Sequence, residues 1–211
     1  NPLSTFLAGF TDAVGAVTIR HLLTHTSGIP DYDGQNIDHP GVTNGDILAF
    51  VRSVQRPTFP PGQMYQYCNA GYVLLGLIVE NISGQPLPRF LEDHVFEPLG
   101  MTSTFVLTSL DQKTPDVARG YDASGTADDF GGMETGDSGV YSTVNDLLRF
   151  DQALYIDALV SQQTLAEAFT PALVREGRGR RCARLRRRRH HRRDPRARRG
   201  PRRPRDRARR H

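Results

Sequence analysis

The sequence predicts an α+β fold in which helices dominate. Two observations lead there. Apolar residues recur at helical spacing in one segment after another, most with a Thr or Ser cap in front. Strand-like character is confined to two short stretches, 102–107 and 136–141. A third observation limits this reading to residues 1–174. That part holds six arginines and one lysine against twenty acids, a net of −13, whereas 175–211 holds twenty arginines against three acids, a net of +17. The basic segment has almost no apolar residues and is expected to stay disordered, because it cannot bury enough surface to offset the entropy of ordering.

In chain order, residues 1–17 read as extended or turn residues followed by a loop containing Gly9 and Gly15. Thr18 caps a short helix with Ile19, Leu22 and Leu23 on one face. Gly28 is suited to the left-handed exit, and His25 is expected at the helix-end carbonyls. A polar loop rich in Pro, Asp and Gly spans 29–41. Thr43 then caps a helix whose buried side is Ile47, Leu48, Phe50 and Val51, with Asp46 in its first turn. Pro57, Pro60 and Pro61 end it.

The chain is organised around residues 61–101, PGQMYQYCNAGYVLLGLIVENISGQPLPRFLEDHVFEPLGM. A Pro-Gly turn leads into Tyr67-Cys68-Asn69, and an apolar helix follows from Ala70 to about Ile82, ended by Ser83-Gly84. Its main stripe is Tyr72, Leu75, Gly76 and Val79. Apolar nearly all round, it is expected to be fully buried. A second helix starts near Pro86 and stops before Pro98. Residues 111–133 read as a surface excursion. Ser142 and Thr143 cap a helix carrying Val144, Leu147, Leu148, Phe150 and Leu154, and Ser161 caps a last one ending before Pro171.

By itself the Tyr67-Cys68-Asn69 triplet reads as a half-buried aromatic and a helix N-cap. Four segments change that reading: VTIRHLLTHTSGIPDY (17–32), PGQMYQYCNAGYVLLGLIVENISG (61–84), FEPLGMTST (96–104) and GDSGVYSTVNDLLRFDQAL (136–154). In this order they resemble the middle of the β-lactamase-related serine hydrolases, the group of class C β-lactamases, DD-peptidases and esterases. The resemblance implies a β-lactamase/transpeptidase-like fold, here mostly its helical lobe with an incomplete antiparallel sheet. It implies acyl transfer through an activated serine, acting on a β-lactam, a D-amino-acid peptide or an ester, with no cofactor and no metal. Carried over residue by residue, it makes Tyr67 catalytic, in proton transfer, and Asn69 substrate-binding, through its amide. It also suggests a periplasmic or secreted protein, although no signal peptide is present in the sequence.

Such chemistry needs more than a Tyr-x-Asn. A hydroxyl is a poor nucleophile without a base beside it, and proton transfer needs a positioned group. The family supplies these through Ser-x-x-Lys and through Lys-Thr-Gly or a His-containing equivalent. Lys113 is the single lysine and Leu110 stands three residues before it, so this sequence holds no Ser-x-x-Lys. Lys113-Thr114-Pro115 has Pro in place of the required Gly and falls in the wrong order. The chain is therefore expected to be a piece of the hydrolase domain, truncated at both ends and inactive alone.

The basic segment has two readings. One is an arm that binds nucleic acid through phosphates. The other is a shifted reading frame in GC-rich DNA, favoured because all twenty cations are Arg and the remainder is largely Pro, Gly and Ala. Nucleic acid is accordingly not the expected partner, and a small-molecule or peptide substrate is; a non-catalytic binding module that uses the same cleft is the other alternative. Gly136-Asp137-Ser138-Gly139 reads as a tight turn rather than a protease nucleophile turn, since the other protease elements are missing. His21 and His25 stand four apart on a helix, a possible metal spacing without a third ligand. Ser27 is expected to be structural. Cys68 and Cys182 do not form a disulfide framework. No apolar run reaches the roughly 18–20 residues a membrane span requires.

Overall fold

The computed structural model describes residues 1–33, 35, 37, 41–109, 117–127, 133–176 and 179–182. Lys113-Thr114-Pro115, Asp128-Asp129 and the Arg-rich segment beyond Cys182 lie outside the described residues. Helices α1 (Asp12–Gly15), α2 (Ile19–Leu23), α3 (Asn44–Ser53), α4 (Asn69–Ser83), α5 (Leu87–Leu91), α6 (Val144–Ala153) and α7 (Gln162–Phe169) make up most of the regular structure among the described residues. A 3-10 turn covers Leu3–Thr5 and a π-helical turn Glu92–Phe96 extends α5. Strands β1 (Phe105–Val106) and β2 (Val140–Tyr141) pair antiparallel, Phe105 opposite Tyr141. Strands β3 (Leu173–Glu176) and β4 (Gly179–Cys182) pair antiparallel as a separate hairpin. That hairpin runs across residue 174, where the composition changes.

The caps form as local chemistry dictates. Thr18, Thr43, Thr143 and Ser161 each accept a backbone N–H of the first turn behind them. At Thr43 the carboxylate of Asp46 completes the box by accepting the Thr43 N–H at 3.0 Å. Thr11 does the same for Val14, so residues 12–15 turn helically where a plain loop is expected from Gly9 and Gly15. Gly84 ends α4 in the left-handed conformation (φ 71°).

The core joins α2, α3 and α4 to the N-terminal segment. Leu3, Val14, Val17, Leu22, Ile47, Val51, Val73 and Leu74 are each almost fully removed from solvent. The expectation that α4 is fully buried is not met. Val73, Leu74 and Ile78 face the core, whereas Tyr72, Leu75 and Val79, taken as its main stripe, are only half-buried. A helix apolar on every side carries no moment to say which side meets the core. Helix α6 shows the same effect more strongly: Val144, Leu147 and Leu148 are all exposed, because no described element packs over them.

Gly136 shows how closely the segment before β2 approaches α4. It sits at φ +109°, and a Cβ there would lie 2.6 Å from the Tyr72 carbonyl oxygen. Only glycine fits both the backbone angle and the gap. The 133–139 segment is thereby held against the first turn of α4.

Candidate active site

The site is built from three segments that meet at the N-terminus of α4: residues 25–33, residues 61–68, and the turn 134–139. The Pro-rich approach to α4 lies along the first of these. Thr58 and Gly62 donate backbone N–H bonds to the carbonyls of Gly28 (2.7 Å) and Thr26 (2.8 Å), and Gln66 donates to His25 (2.9 Å). Gly28 permits this because a Cβ there would come within 2.4 Å of the Phe59 carbonyl oxygen. It is left-handed, as expected, but α2 does not exit through it. His25 is the first left-handed residue after that helix (φ 53°) and the sole such non-glycine among the described residues.

Tyr67 lies on the surface, 56% exposed, its ring tilted over the His25 imidazole with centroids 4.5 Å apart. Partial desolvation, followed by the fields of Asp137 and Asp31, pushes its phenol above the usual tyrosine value. Cys68 behind it is buried and free of any disulfide, and burial pushes its thiol up to about 12. It packs as a small apolar residue and is not a thiolate nucleophile.

Asn69 is the first residue of α4 and not its N-cap. The capping function is supplied from a distance. The Asp31 carboxylate accepts the backbone N–H of Asn69 at 2.9 Å and of Ala70 at 3.0 Å. A full negative charge at the positive end of a fifteen-residue helix is a stronger partner than a neutral amide. The Asn69 side chain is released for another task. Its Nδ2 donates to Asp33 Oδ2 at 2.8 Å. A carboxylate only accepts, so this bond fixes which end of the amide faces Asp33 and turns Oδ1 away from it. Asp31 and Asp33 escape a reading of the motif alone; the one signal for them is a pair of acids two residues apart in a loop directly behind a helix.

His25 does not serve the helix-end carbonyls. Its Nδ1 accepts the Cys68 backbone N–H at 3.2 Å, and its ring stacks on Tyr72, which donates its hydroxyl to the Leu23 carbonyl at 3.1 Å. His21 Nδ1 accepts the Thr18 N–H instead, closing a capping box, so the two imidazoles have separate structural partners. No group of metal-ligating side chains gathers among the described residues. Ser27 is buried and its Oγ accepts the Ile29 N–H.

On the far side stands the turn carrying Gly136-Asp137-Ser138-Gly139. The Tyr32 hydroxyl donates to Asp137 Oδ2 at 2.8 Å and lies 3.4 Å from Glu134 Oε1. Ser138 Oγ donates long hydrogen bonds to the Glu134 carboxylate at 3.5 Å and the Asp137 carboxylate at 3.4 Å. Burial raises both carboxyls above their ordinary range. An open groove of about 650 Å³ runs from this turn along α4, lined by Tyr72, Leu75, Val79, Leu87 and Asp137 among others. Tyr72 and Asp137 connect the groove to the Tyr67 neighbourhood.

This helix-rich arrangement, with the Tyr67-Cys68-Asn69 triplet at the mouth of α4, is that of the β-lactamase/transpeptidase-like class of folds. Residues 1–197 match the β-lactamase family, and the chain belongs to that family. It is 35% identical to penicillin-binding protein 4* of Bacillus subtilis over 183 residues, covering 76% of this chain and 40% of that protein. It is 29% identical over 150 residues to a D-aminopeptidase of Cereibacter sphaeroides, covering 67% of this chain and 28% of that one. The crystal structure of a penicillin binding protein from Bacillus halodurans superposes with a TM-score of 0.71 at 32% identity, covering 84% of this chain and 57% of that one. The chain thus spans less than half the length of these curated relatives. The fold is the β-lactamase/transpeptidase-like one, represented here by a helix-rich portion with small antiparallel strand pairs, as the sequence led us to expect.

Proposed function

We propose that these residues carry the Tyr-x-Asn part of an acyl-transfer site that acts on D-amino-acid amides or peptides. Tyr67 is its proton-transfer group and Asn69 its substrate-binding group. The observation that carries the reading is the Asn69 clamp. With Nδ2 committed to Asp33, Oδ1 is left to accept an N–H, which an amide substrate has and an ester lacks. The names of the relatives, penicillin-binding protein and D-aminopeptidase, support the same substrate class.

In this role Tyr67 works as a neutral phenol. Partial desolvation, followed by the acids around it, holds its proton on, so it gives a proton to the departing amine and does not draw one from the nucleophile. Within these 211 residues there is no Ser-x-x-Lys, so the serine and its lysine come from outside them. Two measurements test the reading on the chain itself. A D-amino-acid amide titrated against the labelled chain is expected to shift the Tyr67 and Asn69 resonances and to lose that effect in Asn69→Ala. A fluorescent penicillin is expected to leave no covalent label. Resonances unmoved by the amide would sink the substrate assignment, and a stable label would show that the chain has its own nucleophile.

A further inference from the structure

Tyr67 is held by one residue from both sides. The Gln66 N–H, just before it, bonds to the His25 carbonyl at 2.9 Å, and the Cys68 N–H, just after it, bonds to His25 Nδ1 at 3.2 Å. The phenol ring lies over the same imidazole at a 4.5 Å centroid distance. Tyr72 packs against the imidazole at 5.1 Å and Tyr65 meets it edge-on at 5.8 Å. The grip depends on an uncommon backbone. At φ 53° His25 occupies the left-handed region, which side-chain-bearing residues seldom enter and which His, Asn and Asp tolerate best.

We propose that His25 is the positioning residue of this site: as a neutral imidazole it fixes where the Tyr67 hydroxyl stands, and on protonation it lets go. The proposal rests on the reading of Tyr67 given above for its functional meaning, but not for its test. Nδ1 holds the Cys68 N–H only while it carries a lone pair; a proton there sets N–H against N–H. The groups facing the imidazole are Asp31, Cys68 and the phenols of Tyr65, Tyr67 and Tyr72. Burial favours the neutral form and outweighs the pull of Asp31. A lowered folded-state value means that the grip is complete above the ordinary histidine pKa of about 6.5 and is lost as pH falls through the lowered one.

The test is a pH titration of the full chain by nitrogen-15 NMR, with His25→Asn and His25→Phe. Asn places an acceptor where Nδ1 stands, tolerates the left-handed backbone and does not titrate. Phe keeps the ring stack and removes the acceptor. In the parent, the Cys68 amide and the Tyr67 ring are expected to move together with the imidazole, at a midpoint below about 6.5. His25→Asn is expected to keep the Cys68 amide protected and to abolish the acid transition of Tyr67. His25→Phe is expected to speed Cys68 exchange by about fivefold to tenfold. Tyr67 signals that ignore the imidazole titration, or an Asn variant that titrates as the parent does, overturn the proposal. A variant that does not fold leaves the parent titration to decide. Failure to bind a D-amino-acid amide leaves these readouts untouched and counts against the functional reading alone.

Discussion

Replacing Asp31 by Ala removes the distant cap of α4, and its effect can be worked out from the contacts. Two first-turn N–H groups, of Asn69 and Ala70, lose their acceptor, and so does the N–H of Tyr32. Loss of a cap costs about 0.5–2 kcal/mol. Loss of a negative charge at a helix N-terminus adds about 0.3–1 kcal/mol. Together they give about 2 kcal/mol. For a folded unit of this size each kcal/mol moves Tm by about 2–4 °C, so Asp31→Ala is expected to melt about 4–8 °C lower. Asp31→Asn keeps a neutral acceptor and is expected to lose about half as much. Thermal melts give the stability, and hydrogen exchange at Asn69 and Ala70 gives the location. An Asp31→Ala protein melting within about 1 °C of the parent would refute the assignment of Asp31 as the cap. So would a loss of stability that leaves exchange at those two amides unchanged.

Glu134→Gln is expected to stabilise the fold at neutral pH more than at pH 5. Burial raises the folded-state values of Glu134 and Asp137, so their contribution is fully present below the ordinary carboxylate pKa and lost as pH rises through the raised values. Urea melts at pH 5 and pH 8 check this; a larger gain at pH 5 would contradict it. Gly136→Ala is expected to lose at least about 1–3 kcal/mol from backbone strain alone, read as a lower denaturation midpoint. The contact with the Tyr72 carbonyl adds to that loss. An ultraviolet titration of the parent minus Tyr67→Phe is expected to place the Tyr67 phenol above the usual value of about 10. A midpoint at or below it would mean that the acids named here do not govern that group.

The parts of this fold that were legible in the sequence are those decided within one turn of a helix. Thr18, Thr43 and Ser161 cap where their spacing places them, because the donors they satisfy are three residues away. The Tyr67-x-Asn69 spacing located the mouth of α4. What it did not reveal is how that mouth is held. Asn69 resembles an N-cap in any local window, and only the folded chain brings Asp31, thirty-eight residues earlier, close enough to outcompete it. The left-handed turn at His25 is likewise set by its partners across the loop and not by its neighbours in sequence. The buried face of α4 is not legible for a different reason: Val73 and Tyr72 are both apolar enough to be inside, and which one goes in depends on α2 and α3.

The charge around Tyr67 bears on how the site works. Asp137, Asp31 and Asp33 all act on its phenol in the same direction. A tyrosine so placed is a poor base, because leaving a phenolate among carboxylates adds like charge to like charge. A cation within about 4–6 Å opposes these fields and eases the loss of the phenol proton by about 1–3 pKa units. A lysine next to a nucleophilic serine is such a cation, and so is the ammonium of an unblocked D-amino-acid amide. The same acids that make Tyr67 a poor base would also draw such a cation toward its hydroxyl, easing the loss of the proton that the departing amine takes. On the proposed reading Tyr67 stays a neutral phenol until the cleft is filled and then gives up its proton more readily, with Asn69 and His25 beside it to hold its place.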